Sequence, residues 1–81
     1  MSVSVHTPRY RKLCQLLTEA RLNRKLSQAA LAAKIKRPQT FVSKYERGER
    51  RLDIVEFLDV SEILKIDPHD ILKQVQSVKR R

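Results

Sequence analysis

Eighty-one residues allow one domain, near the size at which a single hydrophobic core is marginal and association helps. Eighteen Lys and Arg against nine Asp and Glu give a formal charge of +9, unevenly spread: residues 1–51 hold 13 cations and 3 acids, residues 52–81 hold 5 and 6. A single cysteine excludes an internal disulfide, no metal-ligand spacing is present, and no apolar run is long enough to span a bilayer.

One glycine, three prolines and few β-branched runs argue for helix over sheet, so the expected class is all-α with five helices. Residues 1–7 alternate Ser and Val without the length of a stable strand and lack the arginines of a minor-groove arm, so they are expected to form a flexible N-terminal arm. Thr7-Pro8 has the character of an N-cap followed by a first helical residue. It opens a helix to about Asn23 with Tyr10, Leu13, Cys14, Leu17 and Arg21 on one face. Cys14 is then a small core residue, with an intersubunit redox disulfide as the minor alternative. Arg21 on that apolar face is costly to bury without an acid partner; otherwise it snorkels to solvent.

The stretch from Ser27 to Gly48 reads as two short helices and a tight turn. Ser27 is an N-cap, and Leu31, Ala32 and Ile35 recur at helical spacing after it. Lys36-Arg37-Pro38 breaks the run, and Pro38 is expected to start the next helix. On a helical wheel that helix sets Pro38, Phe41, Val42 and Tyr45 on one side and Gln39, Thr40, Ser43, Lys44 and Arg47 on the other. Gly48 stands where a helix takes a left-handed closing residue.

The outward residues suit DNA. A glutamine amide can donate to N6 and accept at N7 of adenine, threonine and serine reach bases or phosphates, and lysine adds charge and a donor toward guanine. Ala32 belongs to packing, because a small side chain there lets the two helices approach. Beyond Gly48, Glu49-Arg50-Arg51 forms a loop whose cations either meet phosphates or stay solvated.

Asp53 is expected to cap a fourth helix, with Glu56 completing a capping box. Ile54, Val55, Phe57, Leu58, Val60, Ile63 and Leu64 surround much of that helix, which should therefore be nearly central in the domain. Asp67-Pro68 opens a fifth helix with Ile71, Leu72 and Val75 on one stripe and Val78 as an extension. Residues 8–78 thus form the domain, its C-terminal helices serving dimerisation through Ile71, Leu72 and Val75, and residues 79–81 form a basic tail. His6 and His69 are isolated, no nucleophile and base come together, and no catalytic residue, metal or cofactor is expected.

Ser27, Gln28, Leu31, Ala32, Val42, Ser43, Tyr45, Glu46 and Gly48 follow the pattern S-Q-x-x-L-A, a turn, then [IV]-S-x-[WY]-E-x-G. In this the chain resembles the phage-repressor and Cro-like helix-turn-helix proteins, also called the xenobiotic-response-element family. The resemblance is close over 27–48 and extends less specifically from Arg21 to about Leu72. It departs at Lys36, in or beside a turn where the family usually has glycine; a left-handed lysine costs roughly 1 kcal/mol.

The resemblance implies a buried ion pair between Arg21 and Glu46, Gln28 on a phosphate, and Gln39, Thr40, Ser43 and Lys44 at the major groove. Arg47, Arg50 and Arg51 are candidates for the DNA backbone. The single cysteine implies a cytoplasmic setting and nothing in the residues suggests an enzyme or a membrane role; with the resemblance the expectation is a nucleoid-associated regulator that binds double-stranded DNA at an inverted repeat as a homodimer. The alternatives are an antitoxin, whose main partner is a protein, and a restriction-modification controller.

Overall fold

The computed structural model describes residues 7–79. The arm apart from Thr7, including His6, and Arg80 and Arg81 of the basic tail lie outside the described residues. Five helices follow in order: α1 (Pro8–Asn23), α2 (Gln28–Ile35), α3 (Gln39–Glu46), α4 (Ile54–Leu64) and α5 (Pro68–Gln76), with no strand among the described residues.

Four of the five starts have a side-chain cap that satisfies an otherwise orphaned backbone N–H. Thr7 accepts from Tyr10 N at 3.1 Å, Ser27 from Ala30 N at 3.0 Å and Asp67 from His69 N at 2.9 Å. Asp53 accepts from Glu56 N at 2.7 Å while Glu56 accepts from Asp53 N at 2.9 Å, a complete capping box. The exception is α3. Pro38 was expected inside that helix and on its packing side; it is instead the extended residue before it, at φ −63° and ψ 153°, and is exposed. The ring fixes φ and leaves ψ free, so Pro38 can stand outside the helix while its carbonyl accepts from Phe41 N at 3.0 Å.

Four helices close through a left-handed residue: Lys25 (φ 58°), Lys36 (φ 59°), Gly48 (φ 74°) and Lys65 (φ 57°). At the end of α2, Arg37 N donates to Ala32 O at 2.9 Å and Lys36 N to Ala33 O at 3.2 Å, the paired bonds of a Schellman motif. Only Gly48 lacks the Cβ that makes this backbone region costly.

The core gathers Leu17 of α1, Leu31 and Ala32 of α2, Phe41, Val42 and Tyr45 of α3, Phe57, Val60 and Leu64 of α4, and Ile71 of α5. α2 and α3 pack on each other, α1 lies against α3 and α5, and α4 lies under α2. Arg9 ties α1 to the end of α5 by donating to Val78 O at 2.8 Å and Gln76 O at 2.9 Å.

Two expectations about the C-terminal half need correction. α4 is not central: Ile54, Val55 and Leu58 are 67%, 63% and 45% exposed, and only the face bearing Phe57, Val60 and Leu64 is buried. Ile71, expected on a dimer surface, is only 6% exposed and belongs to the monomer's core, and Val75 packs partly against that core. Of the three residues assigned to dimerisation only Leu72 is exposed.

Candidate nucleic-acid interface

Burial of Phe41, Val42 and Tyr45 fixes the rotation of α3 about its axis, and the opposite side is thereby turned outward. Gln39, Thr40, Lys44 and Arg47 are exposed there, and Ser43 is half-buried. Phe41 and Tyr45 meet edge to face, with ring centroids 5.4 Å apart at 67°. The Tyr45 hydroxyl is buried without a hydrogen-bond partner, and burial raises its pKa. Cys14 is buried beside it, its thiol donating to Tyr45 O at 3.0 Å and pushed up by burial.

The end of α3 is held by a charged cluster. Arg21 donates from Nε to Glu46 Oε2 at 2.7 Å, from Nη2 to Glu46 Oε1 at 3.0 Å and from Nη1 to Leu26 O at 2.8 Å. Gln28 adds a bond from Nε2 to Glu46 Oε1 at 2.9 Å. With side-chain exposures of 10% and 6%, the Arg21–Glu46 pair is well desolvated, and it joins α1, the loop before α2, and α3. Gln28 therefore spends one of its amide N–H donors inside the protein.

The loop after α3 holds the three arginines singled out for the DNA backbone, in three different settings. Arg47 lies on solvent and makes two 3.0 Å bonds to Glu49, which hold the Glu49 carboxyl below its usual range. Arg50 donates to Glu56 Oε1 and Oε2 and to Arg51 O, each at 2.9 Å. Arg51 lies 5.1 Å from the centre of the Tyr10 ring. The Tyr10 hydroxyl donates to Arg50 O at 2.7 Å and accepts from Leu52 N at 2.9 Å, and burial pushes its pKa up to about 12. This loop is thus fastened to α1 and α4.

In the sequence Arg37 is marked only as part of the turn, although it stands one turn before Phe41. Its guanidinium lies 4.1 Å from the Phe41 ring centre and donates to Glu56 Oε2 at 3.2 Å; that of Arg50 lies 4.8 Å from the same ring. The hydrogen bonds from Arg50, with those from Asp53 N and Arg37, outweigh desolvation and hold the Glu56 carboxyl down to about 2. Arg37, Thr40, Phe41, Lys44, Glu49 and Arg50 are among the residues lining an open cleft of about 400 Å³ along α3. The arrangement offers one amide and two hydroxyls on the outward helix face with cations beside them, which suits a polyanion whose edges carry hydrogen-bonding groups.

Among the described residues no group of three or more His, Cys, Asp or Glu could hold a metal ion, and no helix is long and apolar enough to cross a membrane.

A family model described as helix-turn-helix matches residues 17–71. Among solved structures, the chain is similar to an XRE-family like protein from Pseudomonas syringae pv. tomato, at 45% identity over 85% of this chain and 84% of that one, with a TM-score of 0.79. It is also similar to the restriction-modification controller protein C.AhdI from Aeromonas hydrophila, at 32% identity over 76% of this chain and 94% of that one, with a TM-score of 0.71. The controller protein C.Esp1396I, solved as a tetramer with its natural 35 base-pair operator, is 22% identical over 84% of this chain and 90% of that one; its TM-score of 0.75 speaks for the fold alone. A comparison with curated proteins returns no significant match.

Proposed function

This chain belongs to the XRE family of helix-turn-helix proteins, and from that premise we propose a cytoplasmic, nucleoid-associated transcriptional repressor that binds an inverted-repeat operator as a homodimer. The observation that carries this reading is the outward face of α3, where Gln39, Thr40, Ser43 and Lys44 stand opposite three core anchors. Gln39, in the first turn, is assigned to an adenine through both ends of its amide; Thr40, Ser43 and Lys44 follow along the groove. Arg47 and Arg51 are assigned to phosphates, and Gln28 to a phosphate through its remaining amide N–H. Arg50 is assigned to the backbone from the position in which Glu56 holds it.

Association through the exposed face of α4, Ile54, Val55 and Leu58, with Leu72 contributing from α5, would cover the large apolar side chains left on the C-terminal half. A twofold axis there would set two reading helices in successive major grooves roughly 34 Å apart. Bound across a promoter, such a dimer acts by occlusion. The likeness to C.AhdI over nearly all of that protein favours one second reading, a controller of a restriction-modification system.

Gln39→Ala tests the assignment. Bound to operator variants changed at single bases, it is expected to lose about 1–3 kcal/mol of discrimination at one symmetric pair of positions, with an unchanged salt slope. Unchanged base preference would falsify the role given to Gln39.

A further inference from the structure

Glu56 is engaged on every side. One carboxylate oxygen accepts from Asp53 N and Arg50 Nη1, the other from Arg50 Nη2 and Arg37 Nη1. Its side chain is only 12% exposed, whereas those of Arg37 and Arg50 are 39% and 36% exposed. Arg37 precedes α3 and Arg50 follows it, so one carboxylate on α4 gathers cations from both ends of the exposed helix and sets both against Phe41. The same two arginines line the cleft shared with Thr40 and Lys44. A guanidinium has more N–H donors than these bonds use on Arg37, so fixing its plane does not exhaust it.

Resting on the DNA-binding reading above, we propose that Glu56 is a positioning residue for operator recognition. It holds Arg37 and Arg50 where the phosphodiester backbone of a duplex passes only when α3 is seated in register. A long cation free to rotate follows phosphates on any sequence; one held in place rewards a single docking geometry. Glu56 therefore raises the preference for operator over unrelated DNA without touching a base.

Glu56→Gln separates position from the other roles of this residue, because glutamine can still complete the capping box while the charge that aligns the arginines is gone. The probes are the duplex enriched by selection from a random pool and a scrambled duplex of the same composition, titrated at one salt concentration. Thermal unfolding shows that each variant is folded. The ratio of the two affinities is expected to fall about tenfold, the scale of one lost charge-assisted contact. Glu19→Gln, the same change of charge at an exposed residue of α1, should leave the ratio alone. In an Arg37→Ala, Arg50→Ala background, Glu56→Gln should add nothing further.

An unchanged ratio in Glu56→Gln overturns the proposal: both affinities falling in step reveals a structural role, both rising in step a simple gain of charge. If that variant does not fold, Arg37→Gln, which leaves the cap and the Arg50–Glu56 pair in place, decides: operator binding must weaken more than binding to the scrambled duplex, and equal weakening overturns the proposal. A wild-type protein that shows no preference between the duplexes overturns the DNA-binding reading itself, and this proposal with it.

Discussion

Arg21 and Glu46 carry a large stake in stability, because each charge would be left buried without its counter-charge. Arg21→Met is expected to cost about 3–5 kcal/mol, measured by denaturant unfolding. A loss below about 1 kcal/mol, the range of an exposed pair, would show that solvent already satisfies Glu46. Tyr45→Phe should behave oppositely. The hydroxyl it removes is buried and unpartnered, so stability should stay level or rise by up to about 1 kcal/mol, and a substantial drop in melting temperature would mean that the hydroxyl has a partner after all. Glu56 gives a dependence on pH with a definite sign. Its carboxyl is depressed from an ordinary 4.5 to about 2, so its contribution is fully present above 4.5 and fades as pH falls toward 2. Melting temperatures of the wild type and Glu56→Gln, followed downward in pH, are expected to converge over that interval; a constant gap would show that the charge is not what stabilises. Residue pairings of this kind were legible unevenly. A capping box lies within four residues and can be read from the chain, whereas the arginines that share Glu56 come from positions 6 and 19 residues away, a coincidence that only the fold creates.

The five helices were legible because each has a local signal at its start and four end in a defined turn. At one start the signal is ambiguous: Pro38 suits both the residue before a helix and the first residue within it, and only ψ decides between them. The three left-handed lysines invite a test at this scale. Lys36→Gly removes the Cβ from a residue at φ 59° and should stabilise the protein by about 0.5 kcal/mol, net of the larger freedom that glycine gives the unfolded chain. No gain in melting temperature would place the strain elsewhere. α4 shows a different limit of sequence reasoning. Apolar residues around most of a helix state that it is covered, not what covers it, and the pattern cannot separate burial within one chain from burial against a second. Ile71 shows the converse, since a stripe on the last helix fits a partner surface and a core contact equally well.

Across the whole molecule, charge and apolar surface are divided between the two halves of the chain. The cationic excess lies in residues 1–51 with α3, while Ile54, Val55, Leu58 and Leu72 leave apolar surface on α4 and α5. Leu58→Glu is therefore expected to yield a folded monomer by sedimentation at micromolar concentration and to weaken operator binding strongly, because each half-site must then be bound alone. An unaltered dimer would move the interface off α4. In the proposed dimer α3, presented twice about a twofold axis, reads a symmetric sequence. Selection of bound duplexes from a random pool is the decisive measurement. The expected result is enrichment of an inverted repeat whose half-sites lie about one helical turn apart, centre to centre, or a multiple of it. Recovery of DNA with no shared sequence, or of a single unrepeated site, would contradict it.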